Sequence, residues 1–218
     1  MRPGKPFAAI LAVAILALSN CSKSERAPET GCIASSIGTL HSIPSVPSCT
    51  NRLLCQAQCT VGNSEACLGL AYLAQKNSKK EDEAMGMYRR ACLLGNANAC
   101  TNYAATIWAT EHTESDLACA QRTFEKACAA KEPFACGMVG RLMIENTHPP
   151  SLAEGRKYLE HACDEVGGFP CRVLAYHLEA GRLGSYEPGS IPKLLQRACA
   201  GGDPDACGGP ATAAATFH

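Results

Sequence analysis

The sequence predicts an all-α protein, a solenoid of antiparallel helix pairs stapled by disulfides. Three observations predict it. First, ten of the fifteen cysteines fall into five pairs of one spacing, Cys-x7-Cys: Cys59/Cys67, Cys92/Cys100, Cys128/Cys136, Cys163/Cys171 and Cys199/Cys207. Second, the leading cysteines stand 33, 36, 35 and 36 residues apart, and a period in this range marks a stack whose units bury their faces against neighbours. Third, each unit carries helical periodicity on both sides of a short turn signal.

The first helix of a unit is typified by EDEAMGMYRRAC (81–92), with Met85, Tyr88 and Cys92 at helical spacing. The turn follows at Gly62-Asn63, Gly95-Asn96 and Gly202-Asp203. Glycine supplies the left-handed conformation that ends the first helix. Asn or Asp then caps the second by accepting an orphan backbone N–H. Pro133 and Pro204 stand one residue later, at the first helical position, where no N–H is needed. Lys131 and Val166 replace the turn glycine in the third and fourth units, and Gly167-Gly168 offers the fourth another turn. The second helix brings a bulky residue and then a small one: Leu70-Ala71, Tyr103-Ala104, Val139-Gly140 and Leu174-Ala175. Paired cysteines thus end one helix and begin the next. A bridge there closes a loop of about nine residues, worth roughly 2–3 kcal/mol in the chain-entropy model. Zinc is the competing reading. Cys-x7-Cys is wider than the usual zinc spacing, and the six histidines keep no fixed offset from the pairs, so no metal or cofactor is expected.

The ends read differently. After Arg2 and Lys5, residues 7–18 form an apolar run, too short to span a bilayer comfortably and suited to a signal peptide over 1–20. Leu18-Ser19-Asn20-Cys21 is similar to a lipobox, with Asn20 where Gly, Ala or Ser is usual. Cys21 is therefore the expected lipidation site, and Ser22 points to the outer membrane. Ordinary cleavage near residues 17–19, giving a soluble secreted protein, is the alternative. Export removes the objection to many disulfides. Residues 21–50, rich in Ser and Pro, read as a tether, residues 51–207 as the helical units, and 208–218 as a tail without an apolar stripe. Cys32, Cys49, Cys55 and Cys119 remain, and four cysteines allow three pairings. Cys32 and Cys49 could close a loop in or beside the tether. Cys55 stands where other units have Tyr88, Phe124 or Leu195, a core position.

The segments YRRACLLGNANAC, FEKACAAKEPFAC and LQRACAGGDPDAC resemble Sel1-like repeats, in the disulfide-bearing form of the Helicobacter cysteine-rich proteins. The resemblance covers about residues 51–207, with four full repeats and a fifth that stops after its second cysteine. Gln58, Lys131, Val166 and Pro170 depart from the pattern. It implies a scaffold for protein–protein contact. It also implies a test for an active-site serine, because members of that family have been associated with β-lactam binding and weak β-lactamase activity. One S-x-x-K exists, Ser190-Ile191-Pro192-Lys193, without the S-D-N and K-T-G motifs such a hydrolase needs. Ser190 is expected as a helix N-cap. No G-x-S-x-G, H-E-x-x-H or P-loop occurs, and Cys55-x3-Cys59 has the wrong spacing for a redox C-x-x-C. His41, His112, His148, His161, His177 and His218 are scattered. No catalytic residue is assigned.

Net charge is zero, so bulk electrostatics names no nucleic-acid partner. One charged regularity stands out. Arg90, Lys126, His161 and Arg197 each lie two residues before the first cysteine of a pair, where the first unit has Ala57. Cations near a helix C-terminus complement its dipole. The sharper reading is a ladder that holds an acidic partner segment or anionic glycan. The expectation is a lipid-anchored envelope scaffold that binds proteins. A binder or weak hydrolase of β-lactams or peptidoglycan fragments is one alternative, and a secreted effector binding host proteins is another.

Overall fold

The computed structural model describes residues 32–43, 49–76, 80–110, 113–146 and 150–208. The signal-peptide reading, Cys21 and nearly all of the tail lie outside the described residues. Among the described residues the fold is all-helical. In chain order the helices are α1 (Arg52–Thr60), α2 (Ser64–Gln75), α3 (Glu81–Leu93), α4 (Ala97–Thr110), α5 (Glu114–Ala129), α6 (Pro133–Glu145), α7 (Leu152–Val166), α8 (Gly168–Glu179) and α9 (Ser190–Ala200). A 3₁₀ turn, Pro204–Ala206, stands where a tenth helix would begin. Each helix packs on the next in the chain from α1 to α9. None is long and apolar enough to cross a membrane among the described residues.

Four turns within pairs share one hydrogen-bond pattern. Gly95 N donates to Cys92 O at 2.9 Å and Asn96 N donates to Ala91 O at 3.1 Å, which satisfies carbonyls left over at the end of α3. Gly62-Asn63, Lys131-Glu132 and Gly202-Asp203 repeat it. Lys131 does so at φ 62° without being glycine, so the substitution at that position leaves the turn intact. The caps follow: Asn63 Oδ1 accepts from Ala66 N and Asn96 Oδ1 from Ala99 N, each at 2.9 Å. In the third pair Glu132 Oε2 takes the same role toward Ala135 N at 2.7 Å. The fourth pair differs. Gly167 (φ 64°) and Gly168 (φ 55°) make the turn, and no side chain caps α8.

The turns bring each cysteine pair together. Cys59–Cys67, Cys92–Cys100, Cys128–Cys136, Cys163–Cys171 and Cys199–Cys207 are disulfides with Cα separations of 4.5–4.8 Å. Four residues before the first cysteine of each pair stand Cys55, Tyr88, Phe124, Leu159 and Leu195, and all five are buried. The small residues of the second helices set the spacing between pairs. A Cβ on Gly140 of α6 would lie 2.8 Å from Gly155 O of α7, so these two helices meet backbone to backbone.

The tether reading needs correction. Residues 32–43 lie against the helices, with Ile33, Ala34 and Ile37 buried around a 3₁₀ turn at Ala34–Ser36. The spare cysteines pair Cys32–Cys119 and Cys49–Cys55. Cys32 and Cys49 therefore close no loop with each other. Cys55 occupies the core position and is bridged as well. Ile33 and Ile37, four residues apart, supply the apolar face that a Ser-rich composition concealed.

Candidate interaction site

The docked segment defines the first half of the site. It starts at α5, where the Cys32–Cys119 bridge holds it and the Arg122 guanidinium lies 3.5 Å from Cys32 Sγ. One turn farther along α5, Lys126 Nζ donates to Ile37 O at 3.2 Å. The segment then crosses the α3–α4 turn. His41 N donates to Gly95 O at 2.8 Å and Ala97 N donates to His41 O at 3.0 Å. Ile43 N donates to Asn98 Oδ1 at 3.0 Å. Contact at the turn is close: a Cβ on Gly95 would meet Thr39 O at 2.9 Å. The register has a chemical reason. Ala97 is the first residue of α4 and has a spare N–H, whereas Pro133 and Pro204 hold that position in the third and fifth pairs and have none.

The cations of the row meet different partners. Arg90 Nη2 donates to Thr60 O at 3.1 Å, at the end of α1. Arg197 Nη2 donates to Cys163 O at 2.9 Å, and its Nη1 pairs with Asp164 at 2.8 Å. Lys126 holds the docked segment, and His161 is exposed. Arg90 and Arg197 each satisfy carbonyls of the preceding pair's first helix, so they complement a neighbour's dipole as well as their own. Arg197→Glu should therefore lower stability by about 1 kcal/mol, read as a fall in urea midpoint, because it also sets two carboxylates side by side. An unchanged midpoint would show that these contacts do not matter to the fold.

The second half of the site is open. A cleft of about 380 Å³ runs along the turns of the last three pairs, lined among others by Glu132, Phe134, Val166, Phe169, Arg172 and Asp203. The Phe134 and Phe169 rings lie 5.0 Å apart. Arg172 sits 5.6 Å over the Phe169 ring and donates from Nε to Asp203 at 2.7 Å, with Asp205 at 3.3 Å. The residue after the second cysteine of one pair thus reaches the cap of the next, and Thr101 reaches Glu132 in the same way at 2.7 Å. Sequence reasoning missed this link. An acid 31 residues after Thr101 and again after Arg172 was the available signal. The chain has no match among protein-family models, and none among curated proteins.

Two carboxylates here titrate in opposite directions. Burial pushes the Glu132 carboxyl up, against hydrogen bonds from Thr101 and the Ala135 and Phe134 amides. Thr101 Oγ1 also lies 3.0 Å from Ala97 O, so its single proton is shared between two acceptors. Burial would also push Glu145 up, but His177, 3.1 Å away, and Arg141, 2.8 Å away, outweigh it and hold the carboxyl below its ordinary value. A depressed carboxylate contributes stability above its unfolded pKa and loses it as pH falls through the folded one. Glu145→Gln should therefore be less stable than the native chain at neutral pH, with the gap closing in acid. Glu132→Gln keeps an acceptor for the cap and should match or exceed native stability at neutral pH, an advantage lost on acidification. Thermal melts of both variants across pH check the pair.

Ser190 is not the cap expected for α9. Gly189, at φ 85°, holds the cap position without a side-chain bond, and Ser190 is the first helical residue. The reason is the loop before it: Ser190 N donates to Glu187 O at 3.0 Å, which closes a turn that needs a left-handed residue at position 189.

Proposed function

We propose that this protein is a disulfide-stapled solenoid of Sel1-like helix-pair repeats, exported and lipid-anchored at Cys21, that holds a segment of a partner protein in the bacterial envelope. One observation carries the reading. The helix pairs already hold a peptide segment, residues 32–43, through main-chain hydrogen bonds at a turn and apolar anchors around its 3₁₀ turn. The cleft at the turns of the last three pairs, with Phe134 and Phe169 in its wall, offers a second concave surface. Seven disulfides in a chain of this size suit an oxidising compartment. A photo-crosslinking residue at Val166, which lines the cleft and is 43% exposed, tests the reading in the native envelope. Recurrent capture of one protein from Val166, and not from a control probe at the exposed Gly86, is the expected result. Equal capture from both positions, or none from either, would count against a protein-binding scaffold.

A further inference from the structure

We propose that the trough on α3–α5 is itself a peptide-binding site, and that residues 32–43 are its removable self-ligand, latched by the Cys32–Cys119 disulfide. The partner it fits is an uncharged segment with two branched aliphatic residues four apart on either side of a single 3₁₀ turn, the pattern of Ile33 and Ile37. This inference rests on the scaffold reading for its biological use, and it is tested without any cellular partner.

The contacts of the segment are of the kind a bound peptide makes. Its main chain pairs with Gly95 O and the Ala97 N–H, Asn98 and Lys126 take up one more amide and one more carbonyl, and Ile33 and Ile37 fill apolar sockets. At the last two pairs the turns close on each other instead. A Cβ on Gly167 would meet Arg197 O at 2.9 Å, and a Cβ on Gly168 would meet Gly201 O at 3.0 Å, so no segment passes between those two turns. The trough thus lies on the second and third pairs. The latch ties a stretch whose one regular element is a single 3₁₀ turn to α5 across 87 residues of sequence. Cys119 is buried and Cys32 only half-buried, with Arg122 beside the Cys32 sulfur, where a positive charge favours an approaching thiolate. Opening takes a dithiol reductant. Its thiolate attacks Cys32 Sγ, the disulfide bond breaks, and Cys119 leaves as a thiolate that takes up a proton. The reductant's second thiol then resolves the mixed disulfide, leaving two protein thiols and an oxidised reductant. Without the latch the segment still competes from its tether at an effective concentration near the millimolar range, so a partner displaces it only by binding more tightly.

The test uses the full mature chain carrying Cys32→Ser, Ile33→Ser, Ile37→Ser and Cys119→Ser, which empties the trough without altering the α3–α4 turn. The probe is a fluorescent synthetic peptide of residues 32–43 with serine at position 32. The emptied chain should bind it saturably, at least about tenfold more tightly than the oxidised native chain. Adding Asn98→Ala and Lys126→Ala should weaken binding again. No binding by an emptied chain of native helical content, or equal binding by both chains, overturns the proposal. Should the emptied chain fail to fold, hydrogen exchange of Cys32→Ser alone decides. Faster exchange at His41, Ile43 and Ala97 with α6–α9 unchanged supports a removable ligand. Exchange that stays native there, or spreads through α3–α5, makes the segment part of the core and refutes it. Either failure leaves cross-linking from Val166 to stand or fall separately.

Discussion

Complete reduction of the disulfides is expected to unfold the chain at room temperature. Each hairpin bridge joins cysteines eight residues apart and restrains the unfolded chain by roughly 2–3 kcal/mol. A domain of this size is stable by only about 5–15 kcal/mol, so five such losses together reach the whole margin. The packing offers little to offset them. Many of the fully buried positions are alanines, which bury little apolar surface. Far-UV circular dichroism before and after reduction and alkylation checks this, with helical signal expected to collapse. Retained helicity in the reduced protein would mean that packing alone carries the fold. Single bridges should differ in a stated order. Cys163–Cys171 closes the one turn of the five that lacks a side-chain cap, so its removal should cost the most.

The second large effect is expected at Gly201. A Cβ there would fall on Gly168 N and lie 2.9 Å from Gly167 C. Both neighbours are backbone within a turn already held at positive φ, so neither can give way as a side chain would. Gly201→Ala should cost about 3 kcal/mol or more, and loosen the contact between the α7–α8 turn and the end of α9. Gly86 supplies the control. It lies inside α3, exposed, with nothing near its Cβ direction, and Gly86→Ala should stabilise by about 0.5–1 kcal/mol through helix propensity. Urea midpoints of the two variants should therefore move in opposite directions. Similar shifts in one direction would mean that the close turn-to-turn contact is absent in solution.

Features of the fold set by local chemistry were legible in the sequence. The recurring cysteine spacing, the glycine before a capping side chain and the proline one residue later each follow from backbone hydrogen bonding over a few residues, and all reappear around Asn63, Asn96 and Pro133. Features set by contacts across many residues were not. Nothing local chooses Cys119 over Cys49 as the partner of Cys32, since the choice depends on how residues 32–43 lie along α5. The cation row was visible as a pattern, but its targets were not. Arg90 and Arg197 reach carbonyls of a preceding helix, and Lys126 reaches a segment that composition marked as tether. At Ser190 the local rule misled because the preceding loop needed a left-handed residue, and Gly189 took the cap position. Glu132 was concealed in the opposite way. Its role is that of Asn63 and Asn96, performed by a longer side chain that also reaches Thr101.

Mass spectrometry of the protein purified from its native source, without reduction, tests the central claim most directly. The intact mass should lack residues 1–20, carry lipid on Cys21, and fall fourteen hydrogens below the fully reduced value, two for each of the seven bridges. Non-reducing peptide maps should join Cys32 to Cys119, Cys49 to Cys55, and each Cys-x7-Cys pair within itself. Free thiols at the hairpin positions, or bridges running between different pairs, would contradict an oxidised, hairpin-stapled scaffold.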